Sequence, residues 1–448
     1  MKKYFDIKKA AKRFGVPNAS PLLKSIKKYP RVELIAGAVG VLAIILFLGA
    51  LLWPVQPVPH EMTLTQPLDV SSPQFLDALS GLVDAPIHTG GDVRILNNGD
   101  EFIPALIASI QNAKSTIDLS VYIWNNGKYS DQLTQSLIDA AQRGVAVRIL
   151  VDAQGSNISA EEIEKLQKVG ARVETFRSLS FGTFQRYHRR THRRAIVIDG
   201  NDAYTGGMAV ADYWLGDGRT QGSWRDMMFE VHGAMAQDIQ HAFSDIWYET
   251  TGEALAGPTF YPAVVPEHAN SYVELQTAPT GFRMPIREIF LLTIHSAKNK
   301  LFITNPYFLP DRETIAALAA ASRSGVDVRI LVPDPNTSPV QWAGQVNYAA
   351  LLEAGVKIYE YDRMIHTKLM VADGAWSIIG SANFDNRSRA LNDEVVLGIQ
   401  DTKFASSIEQ VFTDDISHAH LITPDEWKNR SIFRTFASYV CWLFSKQL

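Results

Sequence analysis

Apolar and polar positions along the chain fall into short strand-like runs separated by amphipathic helical stretches, and the same order occurs twice. Ala113-Lys114 leads into Ser115-Thr-Ile-Asp-Leu-Ser-Val-Tyr-Ile-Trp124, and Ala297-Lys298 leads into Asn299-Lys-Leu-Phe-Ile-Thr-Asn-Pro-Tyr-Phe308. Further on, Arg143-Gly-Val-Ala-Val-Arg-Ile-Leu-Val-Asp152 matches Ser324-Gly-Val-Asp-Val-Arg-Ile-Leu-Val-Pro333, and Val169-Gly-Ala-Arg-Val matches Ala354-Gly-Val-Lys-Ile. Each reads as a helix end passing into a buried strand. Strands alternating with helices predict βαβ units, so the expected fold class is α/β: two α/β/α halves with mixed, largely parallel sheets. The halves are expected over residues 90–257 and 258–430, joined through the Ala-, Gly- and Pro-rich residues 252–268.

The ends of the chain follow other patterns. Residues 34–53 contain no charge, and about 20 such residues span a bilayer, so one transmembrane helix is expected there. The run is longer than the apolar core of a signal peptide and ends in Leu-Leu-Trp-Pro, which favours an uncleaved anchor. Pro54, Pro57, Pro59 and Pro67 mark residues 54–89 as an extended linker. Residues 431–448 place Ile432, Phe433, Phe436, Val440, Leu443 and Phe444 at helical spacing, with Arg434 and Lys446 near the ends. Such an amphipathic helix either docks on its own protein or lies in a membrane interface.

Charge separates the arm from the body. Residues 1–33 carry ten Lys or Arg against Asp6 and Glu33, while the whole chain of 448 residues has a net charge of −4. The body is therefore acidic and poorly suited to a nucleic-acid backbone, so no nucleic acid partner is expected. The basic arm suits an anionic membrane surface and should stay cytoplasmic, which places the body on the outer face of the cell membrane. With Cys441 as the single cysteine, neither an intramolecular disulfide nor a cysteine zinc site is available. Oligomeric state is not legible in the sequence.

The chemistry concentrates at a repeated pattern. His192-Arg-Arg194-Ala-Ile-Val-Ile-Asp199 runs into Gly206-Gly207, and His366-Thr-Lys368-Leu-Met-Val-Ala-Asp373 runs into Gly380-Ser381-Ala-Asn383. Each histidine enters a strand, where it shares a face with the basic residue two positions on. Two imidazoles and two cations fit metal-free phosphodiester cleavage: one imidazole attacks phosphorus and the other protonates the leaving oxygen. Arg194, Lys368 and Asn383 would hold the phosphoryl oxygens, with Ser381 brought near by the glycine turn. A nucleophilic imidazole needs a carboxylate on its other nitrogen; Glu394 is expected to serve His366, and Asp226 to serve His192. Asp199 and Asp373 are candidates for catalysis or for a turn before Gly200 and Gly374. The basic cluster of Arg186, His188, Arg189, Arg190 and Arg193 is expected to funnel an anionic headgroup towards the site. His188 and His192 lack the further ligands of a zinc site, and neither a metal nor another cofactor is expected.

These motifs resemble the phospholipase D superfamily, and more closely its bacterial cardiolipin synthase-like branch, over roughly residues 90–430. The resemblance rests on the two histidine motifs, on Gly380-Ser381-x-Asn383-Phe-Asp385-Asn-Arg-Ser388 and Thr205-Gly-Gly207, and on Ala211-Asp-Tyr-Trp-Leu-Gly-Asp217, Ser223-Trp-Arg-Asp226 and Thr304-Asn-Pro-Tyr-Phe308-Leu-Pro-Asp311. It implies pseudo-twofold halves sharing one face, a phosphohistidine on His192 with His366 as acid and base, and an anionic phospholipid substrate, phosphatidylglycerol, as phosphatidyl donor and acceptor. A hydrolase would use the same residues with water, and an impaired member would act as a lipid-binding scaffold. Two departures mark the first half: Arg194 stands where the family pattern has Lys, and Gly207 and Ala209 stand where the second half has Ser381 and Asn383.

Overall fold

The computed structural model describes residue 37 and residues 39–44, 61–178, 189–264, 270–278 and 283–443. It divides into two units, Met1–Gln56 and Pro57–Leu448. In the first, residue 37 and residues 39–44 are helical and exposed. The arm expected over residues 1–33 and most of the run expected to span the membrane lie outside the described residues. Among the described residues, no helix is long and apolar enough to cross a membrane.

The second unit opens with α1 (Pro73–Val83), β1 (Ile87–Thr89), β2 (Asp92–Asn97), α2 (Asn98–Asn112) and β3 (Thr116–Val121). It continues through α3 (Lys128–Gln142), β4 (Ala146–Asp152), α4 (Ala160–Lys168), β5 (Arg172–Phe176), β6 (Ala195–Ile198), β7 (Asp202–Gly206), β8 (Met227–His232) and α5 (Ala234–Thr251). The second half runs β9 (Ser271–Thr277), α6 (Pro285–Ser296), β10 (Lys300–Thr304), α7 (Arg312–Arg323), β11 (Asp327–Pro333), α8 (Pro339–Gly344), α9 (Tyr348–Glu353), β12 (Lys357–Tyr361), β13 (Leu369–Ala372) and β14 (Trp376–Gly380). Then follow α10 (Asn386–Ala390), β15 (Glu394–Gln400), α11 (Thr402–Ser417), β16 (Ala419–Leu421), α12 (Pro424–Lys428) and α13 (Ile432–Trp442).

The duplication is plain in the strand order. One sheet runs β2-β8-β7-β6-β3-β4-β5, and the other runs β9-β15-β14-β13-β10-β11-β12 with β1 and β16 added at its edges. The two sheets are mixed, but the expectation that they are largely parallel is corrected. Parallel pairing is confined to β3-β4-β5 and β10-β11-β12, and every other ladder is antiparallel. Helices connect β2, β3, β4 and β5 in turn, and likewise β9, β10, β11 and β12. β6 and β13 instead turn back on themselves through Asp199-Gly200 and Asp373-Gly374, all four with positive φ, the backbone that a tight antiparallel hairpin demands.

The linker expected over residues 54–89 is corrected from residue 61 onward. Ser72 caps α1 by accepting from the Phe75 amide, with Pro73 in the first turn. The helix buries Phe75, Leu76, Leu79 and Val83 in the core of the second half, and β1 pairs with β9. Each half has its own core, and a third apolar cluster is shared between them. It packs Ala195, Val197 and Phe229 and the α5 residues Phe243 and Trp247 against Leu369, Val371 and Val395 and the α11 residue Phe412. This shared core fixes the facing edges of the halves, where the histidines lie.

The two hairpin aspartates have a structural task. Asp199 accepts from the amides of Lys114, Ser115 and Thr116 at 2.8, 2.7 and 2.9 Å. Asp373 likewise accepts from Lys298, Asn299 and Lys300 at 2.8, 2.8 and 2.9 Å. They tie the hairpins to the starts of β3 and β10, at the ends of β6 and β13 remote from the histidines; a strand advances about 3.3 Å per residue. Grouping Asp199 and Asp373 with the reacting residues is therefore corrected. Asp199→Ala and Asp373→Ala are each expected to lower stability by about 1.5–3 kcal/mol, the contribution of hydrogen bonds to a charged group. Unfolding midpoints should fall while turnover per folded molecule stays near that of the parent.

Candidate active site

His192 and His366 sit just before β6 and β13, beside the carboxyl ends of the parallel strands. Each is held by a short bridge to the other half. Thr191 pairs with Asp393, and Arg225 pairs with Ile365. The His192 amide donates to the Asp393 carbonyl at 2.8 Å and the Asp393 amide to the Arg190 carbonyl at 2.9 Å. Reciprocally, the His366 amide donates to the Arg225 carbonyl at 2.6 Å and the Arg225 amide to the Met364 carbonyl at 3.0 Å. Such reciprocity is that of a two-fold interface within one chain.

The bridges put each carboxylate beside the histidine of the opposite half. His192 Nδ1 lies 2.9 Å from Glu394 Oε2, and His366 Nδ1 lies 2.9 Å from Asp226 Oδ2. The expected pairing, Glu394 with His366 and Asp226 with His192, is thus corrected: the partners are exchanged. A proton on each Nδ1, donated to the carboxylate, leaves Nε2 with its lone pair. Buried ion pairs hold the bridging residues: Arg225 Nε lies 2.7 Å from Asp415 Oδ1, and Arg177 Nη1 lies 2.7 Å from Asp393 Oδ2.

The two cations occupy equivalent places. Arg194 Nη1 donates to the His192 carbonyl at 2.7 Å, and Lys368 Nζ donates to the His366 carbonyl at 2.7 Å. Lys368 Nζ also lies 3.1 Å from both ring nitrogens of His366. Arg194 is fully buried, yet its Nε and Nη2 have no hydrogen-bond partner. Buried guanidinium donors are rarely left unsatisfied, because each costs about 1–3 kcal/mol or more. Two such donors on a planar fork have the geometry to donate to two oxygens of one oxyanion.

The carboxylates are equipped differently. Glu394 accepts from Ser381 Oγ at 2.5 Å, Ser388 Oγ at 2.6 Å and Asn392 Nδ2 at 3.3 Å. Asp226 accepts from Trp214 Nε1 at 2.9 Å and from the Met227 amide at 2.8 Å. The shorter Asp226 draws close to the chain, so a Cβ on Gly207 would come within 2.2 Å of its Oδ1. That crowding accounts for the missing serine in the first half: Gly207 admits Asp226, whereas Ser381 reaches out to the longer Glu394.

Other expected residues divide. Asn383 is buried and its backbone N–H donates to Ser388 Oγ at 3.0 Å, which links it to Glu394. Arg190 reaches the His192 side of the site, donating to Tyr122 Oη at 2.6 Å and Gln154 Oε1 at 2.9 Å. Arg189 is half-buried, while Arg186 and His188 lie outside the described residues. Arg193 is corrected: it turns inward, donating to the Ala242 carbonyl, Asp245 and the Thr277 carbonyl at 2.8, 2.8 and 3.1 Å. Sequence reasoning did not assign Tyr122, which sets its ring 5.4 Å from His192, or Trp214 and Trp224, at 5.6 and 5.5 Å from His366. Trp214 and Ser388 lie within the quoted motifs, which was the available signal. Asp152, whose Oδ2 accepts from the Thr191 amide at 2.9 Å, ends the quoted strand.

Burial shapes the charges. Burial, with Arg194 and Lys368 alongside, holds the His192 imidazole well below its ordinary pKa. His366 is also lowered, by burial and Lys368 against the pull of Asp226. Burial would raise Asp226, but His366 and Lys368 outweigh it and keep the carboxylate ionised. Glu394 goes the other way: burial raises it against its serine donors and Arg194. Lys368 falls to about 7 through burial, opposed by Asp226.

The chain is similar to known proteins over most of its length. The family described as "Cardiolipin synthase, PLD-like domain" matches residues 106–247 and 290–416. Cardiolipin synthase 2 of Bacillus anthracis is 34% identical over 349 residues, covering 77% of this chain and 68% of that protein. Cardiolipin synthase A of Pectobacterium atrosepticum is 34% identical over 370 residues, covering 80% and 76%. The crystal structure of phosphatidylserine synthase from Haemophilus influenzae Rd KW20 shares the fold, with a TM-score of 0.63 at 16% identity, over 84% of this chain and 100% of that one. Two matched segments, one in each half, and identity of this extent over most of the chain place the protein in the cardiolipin synthase family of phospholipase D-like proteins, as a phosphatidyltransferase of the phospholipase D superfamily.

Proposed function

We propose that the chain makes cardiolipin from two molecules of phosphatidylglycerol through a phosphohistidine. In the first step His192 Nε2 bonds to phosphorus, the bond from phosphorus to the glycerol oxygen breaks, and His366 gives that oxygen its proton. In the second, the free hydroxyl of another phosphatidylglycerol attacks, the phosphorus–nitrogen bond breaks, and His366 takes the hydroxyl proton. Arg194 and Lys368 hold the charged oxygens throughout.

The observation that carries this reading is the pair of crossed histidine–carboxylate contacts around the unsatisfied Arg194 donors. The unequal carboxylates support the roles. Ionised Asp226 favours an imidazolium on His366, as an acid requires, while His192 stays neutral beside the raised Glu394, as a nucleophile requires. A bound phosphodiester offsets Arg194 and Lys368 and so returns His366 towards protonation. Burial of the reacting groups limits entry of water and favours an alcohol acceptor. Membrane attachment through residues 34–53, with the catalytic halves on the outer face, belongs to the same reading and rests on the apolar run and basic arm.

Purified protein incubated with phosphatidylglycerol vesicles should yield cardiolipin and free glycerol, and His366→Ala should not. Phosphatidic acid as the main product would assign hydrolysis, and unchanged lipid would leave the scaffold reading. The pH profile offers a second check. Lys368 is a cation below about 7 in the empty site and loses its charge above, so kcat/KM should fall as pH rises through about 7. A bound phosphate holds the proton on, so the corresponding fall in kcat should lie at higher pH.

A further inference from the structure

The last helix is built with its apolar face outward. In α13, Ile432, Phe433, Phe436, Tyr439 and Leu443 at its end are 78, 81, 70, 53 and 73% exposed. The residue it buries is Ser438, whose hydroxyl donates to the Arg434 carbonyl at 2.9 Å and to Gln345 Oε1 at 3.4 Å. The inward face lies on α8, where the Arg434 guanidinium sits 5.7 Å over the Trp342 ring. A helix on the surface of a globular protein does the reverse, turning its apolar stripe to the core. Of the two readings of this stripe, docking on its own protein is therefore corrected, and a contiguous exposed patch of this kind marks a binding surface.

Chemistry and size both select the occupant. Arg430 stacks 4.0 Å over Trp427, and Arg430 and Arg434 border a cavity of about 240 Å³ that Glu360, His420 and Glu426 also line. Two arginines beside an apolar row match anionic headgroups above acyl chains. Tyr439 and Trp442 are side chains of the kind that settle at headgroup level. An eleven-residue helix is only about 16 Å long, too short a strip for the roughly 1,200–2,000 Å² that a stable protein interface buries.

We propose that α13 lies in the surface of an anionic phospholipid bilayer, with its Ile, Phe and Leu side chains among the acyl chains and Arg430 and Arg434 at the headgroups. This attachment is separate from residues 34–53 and holds the catalytic halves against the membrane. It does not depend on which reaction the site performs.

The test uses the full chain in vesicles of phosphatidylglycerol and phosphatidylethanolamine. Cys441 is replaced by Ser, and a nitroxide is placed on Phe436→Cys or, for reference, on Lys168→Cys, whose native side chain is 69% exposed. The label at 436 should collide with oxygen and avoid a water-soluble nickel chelate by roughly tenfold relative to the label at 168, as expected for acyl-chain burial. Equal access to nickel at both positions would overturn the proposal. So would shielding of position 436 from both reagents, which would mean that residues 1–60 or a second copy cover the helix. In a second measurement, the double variant Phe433→Glu/Phe436→Glu should raise the vesicle concentration for half-maximal rate more than about tenfold. Its rate on monomeric short-chain phosphatidylglycerol should be unchanged. An unaltered vesicle dependence would also overturn the proposal, and the nitroxide readings stand whether or not the protein turns over.

Discussion

His366→Ala is expected to release one equivalent of nitrophenol from a phosphatidyl nitrophenyl ester and then stall. Nitrophenolate leaves without a proton, so the first step needs only the attack by His192. The second step needs a base for the incoming hydroxyl, and with His366 gone that proton has no acceptor. Turnover of phosphatidylglycerol, whose glycerol leaves poorly, should fall by about 10⁴-fold, the upper end for a general acid. His192→Ala removes the nucleophile and should show neither burst nor turnover, a loss of about 10⁶-fold. A covalent phosphatidyl group should be recoverable from the stalled variant on His192. A burst from His192→Ala and none from His366→Ala would reverse the two roles.

Much of this arrangement was legible because it is local. The histidines, their cations two residues on and the apolar strands behind them follow from the alternation of a strand, and the same rule explains Arg193. If His192 and Arg194 share one face, Arg193 points to the other, and there it meets Asp245 and two carbonyls. Strand alternation thus separates Arg193 from the face that Arg194 presents to the site. The antiparallel half of each sheet also had a signal, Asp199-Gly200 and Asp373-Gly374, which are hairpin dipeptides. The helix-strand repeat before them obscured it.

The exchange of carboxylates was not legible, because it depends on contacts between halves. Glu394 and Asp226 begin or precede equivalent strands, β15 and β8, and sequence spacing assigns each to its own half. What moves them is the pair of bridges at Thr191–Asp393 and Arg225–Ile365, formed between segments about 200 and 140 residues apart. The outward stripe of α13 is a related case. Periodicity identifies an apolar face but not what covers it. The asymmetry at Gly207, by contrast, becomes readable once the exchange is known, since the shorter carboxylate and the absent side chain compensate each other.

Exchange makes a sharp prediction for the carboxylates. Asp226→Asn is expected to slow turnover by about 10³- to 10⁴-fold, as loss of a histidine-orienting carboxylate does elsewhere, and to fail in the manner of His366→Ala. Asp226 Oδ2 accepts from both Trp214 and His366, and Oδ1 accepts from the Met227 amide. An asparagine must turn its NH₂ towards one of these donors, so an N–H faces an N–H in either orientation. The orientation that faces His366 also forces the proton onto Nε2, the wrong tautomer for a base. The nitrophenyl burst should survive, because Glu394 still orients His192. Glu394→Gln should do the opposite and remove the burst itself. Were each carboxylate to serve the histidine of its own half, the two variants would trade behaviours, so the burst assay on this pair decides between crossed and uncrossed partners.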